Sequence, residues 1–373
     1  MLPCSSILPC PGPRVPPELH NRSPVHSRLR GASRFFSLLA ILAIAVALFG
    51  RVSAAASLVA ASVDSVGITV GDMDRAVDFY SRVLSFETVA DRELSGDPYE
   101  RLFGVFGLRI HAVRMRLGAE YIELMQFLAP RGRPIPADSH SNDEWFQHVA
   151  IVVSDMSAAY ARLRKANVEY ASSGPQRLPD WNPSAAGIEA FYFRDPDGHN
   201  LEIIAFPAGK GLAKWQLRTG NLFLGIDHTA IVVSDTEASL RFYRDLLGLK
   251  VVGTSENYGP EQEHLNNVFG AHLRITSLRG AQGPGVEFLE YITPRTGRHF
   301  PAGSQPNDLW YWEINFRVPE LAAFEVLLRK SPYPLISSRV IELGDGALGW
   351  PAGIVLRDPD GHASLIGSPP ARR

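Results

Sequence analysis

Between residues 63 and 366, hydrophobic and polar positions repeat in the same order four times. Each stretch opens with a short run of β-branched apolar residues, which predicts a strand. Apolar residues at helical spacing follow behind an Asp or Pro near the N-cap, and short strands split by Gly and Pro turns complete the unit. In the third stretch, 226–233 reads as the first strand and 236–247 as the helix, closed by Gly248. Later strands are predicted over 273–278 and 286–292. The same pattern places the units at 63–127, 146–206, 224–292 and 310–366.

The units are copies of one another. His148-Val-Ala-Ile-Val-Val-Ser-Asp155 returns 80 residues on as His228-Thr-Ala-Ile-Val-Val-Ser-Asp235. Asp195-Pro-Asp-Gly-His199 returns as Asp358-Pro-Asp-Gly-His362, and Phe79-Tyr80 as Phe242-Tyr243. Glu120-Tyr-Ile-Glu123 is matched by Glu287-Phe-Leu-Glu290, and Asn142, Asp143 and Trp145 by Asn307, Asp308 and Trp310. Such periodicity marks a repeat architecture. Domain boundaries are expected at 61–206 and 222–368, with a polar, Gly-bearing linker over 207–221.

The first residues are different material. Pro9, Pro11, Pro13, Pro16 and Pro17 forbid a helix or central strand there. Arg28, Arg30 and Arg34 then precede an apolar run over 35–49, followed by Gly50, Arg51 and the small residues Val52 to Ala56. Basic, apolar and small in that order predicts a secretory signal peptide cleaved after Ala54, so residues 1–54 are leader and the mature protein is periplasmic or secreted. The apolar run is shorter than the roughly 20 residues a membrane span needs, which leaves no stable span after cleavage. An uncleaved N-terminal anchor is the alternative.

Composition narrows the chemistry. The chain of 373 residues carries 37 Lys plus Arg against 39 Asp plus Glu, a formal charge of −2, which provides no polycationic surface for nucleic acid and points to a small-molecule substrate. With 45% hydrophobic residues it can bury a substantial core. Both cysteines, Cys4 and Cys10, lie in the leader. Thiolate catalysis and thiolate ligation are therefore excluded from the mature chain, leaving His and carboxylates as metal ligands. No motif assigns an oligomeric state.

The repeated first-strand His with Ala-Ile-Val-Val-Ser-Asp, the Asp-Pro-Asp-Gly-His-x-x-Glu turn into a last strand, and the four units together resemble the vicinal oxygen chelate superfamily. That superfamily holds glyoxalase I, extradiol ring-cleaving dioxygenases, methylmalonyl-CoA epimerase and the fosfomycin and bleomycin resistance proteins. The resemblance spans residues 63–366 and implies an α+β fold in which four βαβββ units form two curled mixed sheets. It also implies that units pair, with ligands drawn from the first and last strands of each. Repeat matching gives first-strand positions Ser65, His148, His228 and Glu313, and last-strand positions Glu123, Glu202, Glu290 and Leu365.

Two pairings are open. If neighbours pair, the sites are Ser65, Glu123, His148, Glu202 and His228, Glu290, Glu313, Leu365. If inner and outer units pair, His148, Glu202, His228 and Glu290 form one complete site, similar to that of bacterial glyoxalase I, and the rest form a poor cage. The crossed pairing is the expectation, because it gathers both ligand-type histidines. Such a site suits Ni, Co, Zn, Mn or Fe, with Glu202 or Glu290 as the base.

The resemblance implies a metal-dependent lyase or isomerase acting on a substrate with vicinal oxygens. An extradiol-type dioxygenase and a metal-free binder of the bleomycin-resistance kind are the alternatives. Phe191, Tyr192, Asp195, Pro196, Gly198 and Glu202 fit the ring-cleavage signature, but Pro183, Ser184 and Ala185 occupy the window of its upstream His. His199 and His362 are expected in surface turns capped by Asp195 and Asp358. Arg131, Arg133, Arg295 and Arg298 are expected on solvated loops, with neutralisation of an anionic substrate as the alternative.

Overall fold

A computed structural model describes residues 61–344 and 349–368. The expected leader, signal peptide and cleavage after Ala54 fall outside the described residues, and no described helix is long and apolar enough to cross a membrane.

Each unit opens with its apolar strand: Ser62–Thr69, Gln147–Val153, Phe223–Val232 and Trp312–Arg317. A helix follows. In units 1 to 3 it is capped as the sequence predicts: Asp72, Asp155 and Asp235 accept from the backbone N–H three residues on. The helix of unit 3 runs α-helical over Thr236–Leu240 and continues as wider π turns over Arg241–Leu246. Units 1 and 3 each carry an additional short helix, Asp97–Phe103 and Pro260–Asn266, with Pro in the first turn behind a Gly at positive φ.

The units cross over. Units 2 and 3 form one mixed sheet and units 1 and 4 the other. In each, the two first strands pair antiparallel at the centre and each pairs in parallel with the last strand of its own unit. Residues 61–206 and 222–368 therefore each contribute strands to both sheets, and sequence neighbours share an apolar core instead. One core joins units 1 and 2 around Tyr80, Ile151, Leu163 and Phe193, and another joins units 3 and 4 around Tyr243, Phe288, Phe316 and Phe324. The main helix of each unit packs into one of these two cores, on the face of the sheet opposite the concave one.

The loops between units tie the crossed partners together. After unit 1, Arg133 donates from its backbone N and Nε to Asp308 Oδ1 and from Nη2 to Oδ2 at 2.6 Å, and stacks over Trp310. After unit 3, Arg298 does the same to Asp143 and Trp145. Gly132 and Gly297 permit this approach, since a Cβ there would lie 1.9 Å and 1.8 Å from the carbonyl oxygens of Asn307 and Asn142. These two arginines thus clamp the loops of the paired units together.

His199 and His362 differ from expectation, for both are buried. Asp195 caps its turn as expected, accepting from the backbone of Asp197 and His199. It also receives His199 Nδ1 at 2.9 Å, while Nε2 reaches the carbonyl of Leu309 in unit 4 at 2.7 Å. Burial alone would lower the His199 pKa, but Asp195 and that carbonyl raise it. The ring fastens one sheet to the other.

Candidate metal centre

In a strand, only residues of like parity share a face. Within the inner sheet, Glu202 is in register with Ala150 and Ala150 with His228, while His148 is in register with Ala230 and Ala230 with Glu287. Two rows thus run across the concave face, each with a small alanine between two potential ligands. The methyl groups leave room above the sheet for the longer side chains to converge.

They do converge. One ligand atom from each of His148, Glu202 and His228 lies within 4.8 Å of the others. Glu202 Oε2 stands 3.1 Å from His148 Nε2 and 3.7 Å from His228 Nε2. Glu287 Oε1 lies 3.6 Å from the same His228 nitrogen. All three residues of the central group are buried, and neither ring nitrogen of His148, nor Nε2 of His228, makes a hydrogen bond. Buried imidazole nitrogens without partners, facing carboxylates, are the environment a divalent cation satisfies.

Electrostatics agree. Burial lowers the pKa of His228, but Glu287, Asp227 and Glu202 together carry it up to about 9. The pocket therefore holds a strong preference for positive charge at Nε2. Asp227 fixes the other side of the ring, accepting from His228 Nδ1 at 3.1 Å. It is itself held by Arg279, through two bonds, and by Trp215 Nε1 at 2.7 Å. That network directs the Nε2 lone pair toward the carboxylates.

Glu290 takes no part. Its Oε2 accepts from Thr236 Oγ1 at 2.7 Å and Arg274 Nη1 at 3.1 Å, at the start of the unit 3 helix. Glu290, expected as a ligand and base, thus lies apart from the group, and it is Glu287 whose carboxylate stands near His228. The two are three positions apart, so they project to opposite faces of the strand. Matching Glu120-x-x-Glu123 to Glu287-x-x-Glu290 concealed this, because the structural partner of Glu287 is Glu123: Gly67 is in register with Glu123 as Ala230 is with Glu287. A usable signal existed in the alternation of Val286 and Phe288, which face the helices, with Glu287 between them.

A cavity of about 560 Å³ opens over the centre. Glu202, Asp227, His228, Arg279 and Glu287 lie along its base, with Tyr192 and Ile204 beside them. Leu178, Ser184, Ala185 and the linker residues Lys210 to Leu212 also line it. The linker is thus part of the site.

The outer sheet carries the matching rows, with its concave face packed by side chains. Glu123, Gly67 and Glu313 occupy one row, and Leu365, Asn315 and Ser65 the other. Tyr311, Phe103, Trp350 and neighbouring apolar side chains fill the concavity. Arg114 bridges Glu123 and Asp64, and Tyr311 donates to Glu313 at 2.9 Å. Among the described residues no group of three or more ligand atoms gathers there.

Comparison with known proteins follows the same lines. The model of the Glyoxalase/Bleomycin resistance protein/Dioxygenase superfamily matches residues 62–203 and 225–316. A 2-epi-5-epi-valiolone epimerase of Actinomyces sp. is 33% identical over 156 residues, covering 40% of this chain and 82% of that protein. A lactoylglutathione lyase of Arabidopsis thaliana is 23% identical over 202 residues, covering 54% of this chain and 59% of the relative. Among solved structures, a glyoxalase I variant from Zea mays superposes with a TM-score of 0.52 at 14% identity, over 84% of this chain and 94% of its own. The chain belongs to the Glyoxalase/Bleomycin resistance protein/Dioxygenase superfamily.

Proposed function

We propose that the protein is a divalent-metal-dependent enzyme of the glyoxalase type, an isomerase, epimerase or lyase acting on a small substrate with neighbouring oxygens. The observation that carries this reading is the convergence of His148, Glu202 and His228, with Glu287 beside them, at the base of an open cavity. A metal-free binder has no need of such a group, and the family relative named as an epimerase adds support. The leader pattern in residues 28–54 supports export of the mature enzyme.

His148, Glu202, His228 and Glu287 would hold the ion. When bound, it supplies Lewis acidity toward substrate oxygens. Glu287 is the residue placed to move a proton. Ser277 Oγ donates to its Oε2 at 2.7 Å, which fixes the carboxylate, and its side chain is 18% exposed toward the cavity against 6% for Glu202. It would take the proton from a carbon beside the carbonyl, whose oxygen receives the electron pair. A proton delivered to the opposite face of that carbon by solvent or a second acid would give epimerisation; delivery to the neighbouring carbon, with the hydroxyl proton passing to the former carbonyl oxygen, would give isomerisation. Tyr192, whose ring lies 4.8 Å from that of His148, and Ile204 keep water from the base of the site.

Ring cleavage is less well supported, since among the described residues no histidine besides His228 lines the cavity. The deciding experiment follows solvent deuterium entering a hydroxyketone. Metal-loaded wild type should exchange the hydrogen next to the carbonyl and Glu287→Gln should not. Absence of exchange by wild type across hydroxyketones and ketoaldehydes would overturn the proton-transfer reading.

A further inference from the structure

Charge in the cavity is unevenly matched. Asp227 and Arg279 neutralise one another through a double hydrogen bond. Glu202 and Glu287 contribute two negative charges, which a divalent cation would balance. One cation then remains, Lys210, on the linker between units 2 and 3. Its Nζ donates to the backbone carbonyls of Pro183 at 2.6 Å and Ser184 at 3.1 Å, both neutral. Lys214, four residues further along the same linker, is by contrast paired with Glu120.

An ammonium has three donors, and the two carbonyls leave one for a ligand. The carbonyls belong to the loop that crosses unit 3, where Asn182 donates to Asn257 Oδ1 at 2.7 Å and Ser184 to the carbonyl of Thr254 at 3.3 Å. Lys210 thereby sits where linker and loop meet over the cavity, and Ser184, Ala185, Gly211 and Leu212 line the space around it. A partly desolvated cation without an anionic partner gains from a charge-assisted bond to an oxyanion. The cavity is also larger than a three-carbon hydroxyketone requires.

We propose that Lys210 is a specificity-determining residue that binds an oxyanion on the substrate, so that the site takes a vicinal-oxygen molecule carrying a carboxylate or phosphate at its far end. This rests on the metal-dependent reading above and adds the charge and polarity of the substrate to it.

The test uses the full mature chain loaded with metal, its metal content measured first, and calorimetric titration with three hydroxyketones. These are 5-hydroxy-4-oxopentanoate, dihydroxyacetone phosphate and the neutral 1-hydroxypentan-2-one. Wild type should bind at least one anionic probe tenfold or more tightly than the neutral one, and which anion it prefers separates carboxylate from phosphate as the natural group. Lys210→Met should abolish the preference, weakening the anionic probe at least tenfold more than the neutral one, and Lys210→Arg should retain it. Equal binding of charged and neutral probes by metal-loaded wild type would overturn the role of Lys210 alone. So would equal weakening of all three probes by Lys210→Met, which marks a merely structural tether. A wild type that takes up no metal would overturn this inference and the reading beneath it together.

Discussion

Asp227 accepts a hydrogen bond from the imidazole of the next residue in its own strand, His228. Strand neighbours ordinarily project to opposite faces. Here the register slips between Ile226 and His228, and the bulge lets the carboxylate reach the ring beside it. Unit 1 repeats the device: the register slips between Val63 and Ser65, and Asp64 accepts from Ser65 Oγ at 3.2 Å. The strand irregularity thus supplies the partner that orients the His228 ring.

Removing that partner should loosen the metal and not the fold. Asp227→Asn is expected to weaken metal affinity by about 10- to 100-fold, the range found when outer-shell partners of ligating histidines are lost. Trp215→Phe, which removes one donor to Asp227, should have a smaller effect in the same direction. Competition with a chromophoric chelator measures both.

The register of the last strand of unit 3 separates Glu287 from Glu290. Glu287→Gln should lower metal affinity and stop proton exchange. Glu290→Gln should leave metal content unchanged and lower stability by about 1–2 kcal/mol, because its ionic bond to Arg274 and part of its hold on Thr236 are lost. Metal analysis and thermal unfolding on the two variants read the two effects apart.

The outer sheet should register pH. Burial pushes Glu313 up to about 8, with the Tyr311 hydroxyl opposing and Glu123 adding to the rise. Burial likewise lifts Glu123 to about 7 against the pull of Arg114. Both carboxyls keep protons in the folded state that the unfolded chain releases near 4.5. Folding stability from this pair is therefore greatest below pH 4.5 and declines as pH rises toward 8. Glu313→Gln should flatten that decline, being more stabilising relative to wild type at pH 8 than at pH 5 by roughly 3 kcal/mol. Melting temperatures across that window check it, and an unchanged slope would contradict it.

Trp350 is fully buried, fills the outer concavity and carries Arg317 over its ring at 4.8 Å. Trp350→Ala should cost about 3–5 kcal/mol through the cavity it leaves. Metal content should not change, since the metal centre lies on the other sheet. Chemical denaturation and metal analysis together test this separation.

Much of this was legible in the chain. The four units and their Asp caps follow from repeated strings, and the placement of His148 and His228 favoured the crossed pairing over the neighbour pairing without deciding it. The choice between Glu287 and Glu290 was not, because a Glu-x-x-Glu match slips by three residues and changes face. The burial of His199 was hidden for another reason: its second partner, Leu309, lies 110 residues away on a unit of the other sheet. Likewise Arg133 and Arg298 read as surface residues, since their acceptors Asp308 and Asp143 come close only through the crossover. Lys210 was hidden in a linker, whose composition predicts a connection and not a wall of the cavity.

The central claim is that one divalent ion sits between His148, Glu202, His228 and Glu287. Elemental analysis of the mature protein purified without chelator, beside His148→Ala and His228→Ala, tests it most directly. The account predicts about one equivalent of metal in wild type and its loss from both variants, with metal addition raising the melting temperature of wild type alone. A wild type that neither carries metal nor is stabilised by added Ni, Co, Fe, Mn or Zn would contradict it.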